Sequence, residues 1–153
     1  MALVGNMIAT AFGGNPSIVN YDMFVAVFSM LSLFYLIPAT LKESLAFHPM
    51  AMVALDAINV LLYFCGAVAT AAYHGVHSCN NNDYTTHNIV TSGSPNTNKR
   101  CTEAQASTAF LWFGFAAFAA SIAFDLMGGS SGGVSMRGGR GGVRRGPPAM
   151  SQV

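Results

Sequence analysis

Charge is scarce in this chain: only 7 Lys and Arg and 6 Asp and Glu occur in 153 residues, against a hydrophobic fraction of 52%. About a quarter of the residues of a soluble domain are charged, so an ordinary water-bathed surface is excluded. The motifs of common chemistry are absent too. There is no Gly-rich phosphate loop, no HExxH, no GxSxG and no pair of carboxylates in one polar region, so we expect neither an enzyme nor a bound cofactor. A cleavable signal peptide is not expected, because Met1–Gly13 is apolar but has no basic start, and it is too short to cross a bilayer alone. The one Asn-x-Ser triplet, Asn15-Pro16-Ser17, has proline in the middle and is no glycosylation acceptor.

What is present is three long apolar stretches. Residues 23–41 and 104–124 carry no charge, and residues 49–73 carry one acid, Asp56. About 20 apolar residues at 1.5 Å each cross a hydrocarbon core ~30 Å thick, so each stretch is long enough to span. The expected spans are 22–41, 49–73 and 103–127, with Pro38 kinking the first or marking its exit, and Pro49 and Thr102 opening the next two. Residues 1–13 form a partial helix ended by Gly13-Gly14-Asn15-Pro16, and 74–102 a polar loop. The segment 128–153 is rich in Gly and Arg without apolar periodicity, and is read as a disordered tail.

Three spans place the tail and Lys42 on one side and the 74–102 loop on the other. Lys42, Arg137, Arg140, Arg144 and Arg145 outnumber Lys99 and Arg100, which puts the tail in the cytosol by the positive-inside rule. Cys79 and Cys101 then lie on the side where disulfides persist, and a bridge between them would tie two spans together. Cys65, within a span, reads as a small core residue. The alternative for the loop is a zinc site from His74, His77, His87 and the two cysteines. Its spacing matches no regular zinc pattern, so the disulfide is favoured and no metal is expected.

Asp56 is the acid well inside a span, with Asn59 one turn along the same face. Intramembrane acids serve relays and ion coupling, or lock a helix to its neighbours through hydrogen bonds. With no second intramembrane acid or base in view, the lock is favoured. Ala67 with Ala71, and Ala116 with Ala120, repeat at four-residue spacing with Gly66 and Gly114 close by, which suits close helix packing within the chain. The tail arginines superficially resemble RNA-binding segments but have no aromatic partner for stacking. Anionic lipid headgroups or cytosolic partners fit them better, and nucleic acid is not expected. The terminal Ser151-Gln152-Val153 offers a weak carboxylate motif.

The segments VNYDMF at 19–24, LDAINVLLYF at 55–64, HSCNNNDY at 77–84, CTEAQASTAFLWF at 101–113 and the final SQV carry a resemblance. With them the chain resembles the fungal non-classical export group of the MARVEL-domain family. The resemblance implies an all-α four-helix membrane bundle over residues 1–127, both termini cytosolic, without catalysis. It implies a role in plasma-membrane microdomains of the eisosome type, in sphingolipid-rich membrane, in trafficking or non-classical export, with homo-oligomers or microdomain proteins as partners. Cys79 and Cys101 take the place of that family's extracellular cysteine pair. The family has a full first span before Val19, where this chain has Met1–Gly13. The expectation is an upstream start or an incomplete span, which would expose the polar face around Asp56 unless a neighbouring chain covered it. A small transporter or ion-conducting oligomer using Asp56 is the alternative function.

Overall fold

The computed structural model describes residues 1–12, 14–41, 49–75 and 77–131. Within them the chain is helical, with no strand, in five elements: α1 (Ala2–Ala9), α2 (Ser17–Leu41), α3 (Pro49–His74), α4 (Asn82–His87) and α5 (Thr97–Ser131). Three are long and apolar enough to cross a membrane: Ser17–Leu41, Met50–His74 and Thr97–Met127. α1 packs on α2 and α5, and α3 packs on the same two helices, most extensively on α5. The four helices thus close a ring in the order α1, α2, α3, α5, while α4 lies on α5.

Several expected boundaries move. α2 begins at Ser17 rather than residue 22, which brings Asp22 inside the helix. Pro38 also lies within α2, and the helix runs on to Leu41. α5 opens six residues earlier than expected, at Thr97: Asn96 Oδ1 accepts the amide of Lys99 at 3.0 Å, making Asn96 the cap. Thr102, the expected cap, is inside the helix and donates to Asn98 O at 3.1 Å. At its far end α5 continues to Ser131, past the expected end at 127. A 35-residue helix is about 52 Å long, well beyond a ~30 Å core, so its polar first turns can stay helical outside the hydrocarbon. The loop between α3 and α5 holds α4, capped by Asn81 Oδ1 on the amides of Asp83 and Tyr84.

Two apolar clusters bind the ring. Val4, Met7, Ile18, Val19, Val90 and Ala104 seat α1 and the loop on α2 and α5. Val25, Ala67 and Leu111 join α2, α3 and α5 further along. Many large apolar side chains instead face outward, among them Leu31, Phe34, Leu61, Phe110 and Phe113. Such a surface suits lipid, because burying apolar groups gains nothing when the solvent is itself hydrocarbon.

Candidate functional site

The buried positions repeat along each long helix at alternating steps of four and three. On α2 they are Ile18 with Val19, then Asp22, Val25, Ser29, Ser32, Leu36 and Ala39. On α3 the buried stripe is Asp56, Asn59, Gly66 with Ala67, Thr70 and His74, with half-buried Tyr63 in line. On α5 it is Arg100 with Cys101, then Ala104, Ser107, Leu111 and Phe118, with Gly114 and Ser121 in the same rows. A 3.5-residue stripe is the seam of a left-handed bundle. Polar and small residues fill this seam because a hydroxyl or carboxyl has partners only inside the bundle.

The seam is built in layers. Nearest the loop, Thr70 Oγ1 donates to both carboxylate oxygens of Asp22, at 3.0 and 3.2 Å, joining α3 to α2. Gly66 lets the helices close: a Cβ there would lie 3.3 Å from Asp22 Oδ1 and from the Tyr21 ring. In the middle, Tyr63 Oη and Ser29 Oγ share a 2.9 Å hydrogen bond, and Gly114 of α5 leaves the space that the Tyr63 ring occupies. Tyr63 also packs on Phe118, ring centres 5.6 Å apart. At the far end Ser121 Oγ donates to Asp56 Oδ2 at 2.7 Å, joining α5 to α3. Seven residues separate Asp56 from Tyr63, and seven separate Gly114 from Ser121, so α3 and α5 hold one antiparallel register throughout.

Asp56 and Asn59 therefore share the interior, at 3% and 0% exposure. The expected exposure of the Asp56 face does not occur, since α5 covers it without a neighbouring chain. The premise that Asp56 stands alone is also corrected: Asp22, at 4% exposure, is a second buried acid. Its position at the rim of an uncharged run hid it, although the four-three spacing from Asp22 to Ser29 was there to be read. Of the small residues at four-residue spacing, Ala67 is buried and Ala71 half-buried, while Ala116 and Ala120 face outward. Cys65, expected in the core, is exposed.

A cavity of about 300 Å³ lies beside Asp22, where the first turn of α1 meets the other helices. Val4, Ala26, Tyr63, Ser107 and Leu111 contribute to its largely apolar wall.

The loop is fastened at several points. Cys79 and Cys101 form a disulfide with their Cα atoms 5.7 Å apart, which takes both out of any metal set. Gln105 donates to His77 O at 3.1 Å, and Asn88 to Tyr73 O at 2.8 Å. Tyr84 donates its hydroxyl to His74 O and stacks on His77 with ring centres 4.4 Å apart. Burial pushes the Tyr84 hydroxyl above the ordinary tyrosine pKa, a rise that its contact with Asn88 partly offsets. His87 is exposed and bound to Asp83. Arg100, counted in the sequence as a loop charge, is buried at 1% exposure. Its guanidinium donates to Val90 O at 2.7 Å, Gly93 O at 3.2 Å and Asn15 Oδ1 at 3.1 Å. Lys42, Arg137, Arg140, Arg144, Arg145 and the terminal Ser151-Gln152-Val153 lie outside the described residues.

Three membrane-length helices with polar groups turned inward and apolar groups turned outward define a multi-pass membrane protein. Comparison with known families and proteins agrees. Residues 1–124 match MARVEL, the membrane-associating domain, and the chain belongs to that family. It is 37% identical over 153 residues to non-classical export protein 102 of Candida albicans, covering 100% of this chain and 88% of that one. It is 34% identical over 144 residues to non-classical export protein 2 of Saccharomyces cerevisiae, covering 91% and 81%. A homologue of the latter in Schizosaccharomyces pombe is 29% identical over 114 residues, 74% of this chain and 61% of the homologue. No solved structure matches significantly.

Proposed function

We propose that this protein is a non-enzymatic organiser of the plasma membrane, gathering lateral domains of the eisosome type and through them serving a non-classical export route. Relatives named for non-classical export align with nearly the whole chain, which supports the export half of the reading. The observation that carries the organising half is the division between the bundle's two sides. Carboxyl, hydroxyl and amide groups are used between helices, while the outer surface is a lipid-facing shell. That shell includes the mutually edge-on and tilted rings of Phe64, Trp112 and Phe115. Ala116 and Ala120 face outward from α5 in the same shell, a strip along which the helix of a second copy can approach closely. With the tail in the cytosol, Arg137, Arg140, Arg144 and Arg145 meet anionic headgroups, and sphingolipid-rich membrane surrounds the bundle.

The test is imaging of the tagged chain in fungal cells that lack their own copy, with secretion of a leaderless cargo measured alongside. Restored patches together with restored secretion are expected. A uniform membrane signal with unchanged secretion would overturn the reading.

The transport alternative draws on one specific observation, the second buried acid. Asp22 is bound to Thr70 and Asp56 lies fourteen residues from Thr70 on α3, so the two carboxyls are about 21 Å apart along the bundle. Sustained flux in reconstituted liposomes that requires Asp56 would replace the organiser reading with this one.

A further inference from the structure

Two oxygens on α3 are left without a partner. Asp56 Oδ1 and Asn59 Oδ1 make no hydrogen bond, although their residues are 3% and 0% exposed. The donors around them are already engaged. Asn59 gives its amide nitrogen to Leu55 O at 2.9 Å, which leaves its oxygen as the free end. Ser121 gives its hydroxyl to the other oxygen of Asp56. Three residues apart on one helix, Asp56 and Asn59 share a face, and that face is the one packed on α5. What remains is a carboxylate oxygen, an amide oxygen and the lone pairs of a hydroxyl, an acceptor-only set of hard oxygens.

Such a set calls for a positive charge that brings no acceptor of its own. One buried carboxylate matches one unit of charge, so a divalent ion would remain uncompensated in the interior. Hard oxygens favour a hard ion over an organic cation. The described basic side chains cannot supply the charge: Lys99 and Arg100 lie at least twenty-one residues up α5 from Ser121, about 30 Å away. Asp125, exposed one turn beyond Ser121, adds negative charge at this end of the seam, which favours cations there.

We propose that Asp56, Asn59 and Ser121 form a binding site for one small monovalent cation, an alkali ion or a proton. An alkali ion would sit between the two free oxygens with Ser121 as a third ligand. A proton would reside on Asp56 Oδ1 and be donated to Asn59 Oδ1, giving each free atom its partner. The site stands whether or not the protein organises membrane domains, because its test measures occupancy and not localisation or export.

The experiment uses the full chain in nanodiscs of neutral lipid, melted in sodium chloride and in N-methylglucamine chloride at equal ionic strength. Infrared spectra of the same samples report the carbonyl stretch of a protonated carboxyl. Asp22 is removed from the comparison by subtracting spectra of Asp56→Asn from those of the wild type. A sodium-dependent rise in melting temperature, lost in Asp56→Asn, supports the alkali ion. A protonated-carboxyl band lost in Asp56→Asn, without sodium dependence, supports the proton. Asn59→Leu keeps the charge and removes one acceptor, so it should weaken the sodium effect or shift that band to higher frequency even where Asp56→Asn does not fold. An ionised Asp56 with a melting temperature indifferent to sodium overturns the proposal. So does stabilisation by magnesium or calcium without sodium.

Discussion

Thr70 and Asp22 face each other across the α2–α3 contact, with one hydroxyl shared between both carboxylate oxygens at 3.0 and 3.2 Å. Ser121 and Asp56 repeat the arrangement between α5 and α3 at 2.7 Å. α3 thus supplies the hydroxyl at one end of the seam and the carboxyl at the other. Both of its neighbours are held by the same chemistry.

Replacing Thr70 with Val keeps the shape and removes the donor, leaving Asp22 buried without its partner. The expected loss is ~1–3 kcal/mol, the cost of an unsatisfied buried group. Thr70→Ser, which keeps the hydroxyl, should lose less. Thermal or denaturant unfolding in nanodiscs reads the difference, and equal losses for the two variants would show that Asp22 does not depend on the hydroxyl.

Glycine positions should separate sharply. A Cβ on Gly5 meets nothing within 4 Å, one on Gly66 meets Asp22 and Tyr21 at 3.3 Å, and one on Gly114 overlaps the Tyr63 ring. Alanine should therefore be near neutral at 5, mildly destabilising at 66, and cost ~1–3 kcal/mol or more at 114 as Tyr63 is driven off Ser29. Melting temperatures of the three variants should fall in that order.

Removing the Cys79–Cys101 bridge frees a loop with 22 residues of sequence separation. The chain-entropy model gives a loss of about 3 kcal/mol. The loop keeps its hydrogen bonds to Tyr73, His74 and His77. The expected phenotype is therefore a lower melting temperature with faster proteolysis between 77 and 101, while the spans stay assembled. A matching change on reduction of the wild type, with the exposed Cys65 alkylated beforehand, checks it.

Arg100 holds three acceptors on two separate segments, Val90 and Gly93 of the loop and Asn15 before α2. Lysine keeps the charge but cannot reach all three with a single ammonium. Arg100→Lys should cost ~1.5–3 kcal/mol, the range for hydrogen bonds to a charged group. Amide exchange over residues 88–96 should accelerate, and so should exchange at Phe12, whose amide rests on Gly93 O at 2.8 Å.

The Tyr84 hydroxyl sets a limit at high pH. Its folded pKa lies above the ordinary value of about 10, so the folded state holds the proton more tightly than the unfolded chain. The stabilisation is complete below pH ~10 and is lost as pH rises through the folded pKa. Amide exchange in the loop should quicken above pH ~10 in the wild type, while Tyr84→Phe should show a weaker pH dependence there.

The legible part of this protein is the part set by the solvent around it. Uncharged runs count the spans because a charge in hydrocarbon is costly, and that holds whichever way each helix is turned. The helix ends are less legible. Thr102 and Asn96 are both acceptable caps by residue type, and Asn96 caps because polar residues can stay helical where α5 leaves the hydrocarbon. Asp22 was missed for a related reason: an acid at the rim of an apolar run reads as a boundary until α2 is seen to begin five residues before it.

Three facts are written in the chain itself: it crosses a membrane, two cysteines flank one loop, and Asp56 and Asn59 share a helix face. All three follow from local composition and spacing. Helix packing, by contrast, buries Asp22 against Thr70, makes Gly114 the space for Tyr63, turns Arg100 inward, and turns Ala116 and Ala120 outward. In water, hydrophobicity tells a reader which face of a helix is buried. In lipid both faces can be apolar, so the inward face is chosen by which hydroxyls, carboxyls and small residues meet across neighbouring helices, and that is known only once the helices are packed.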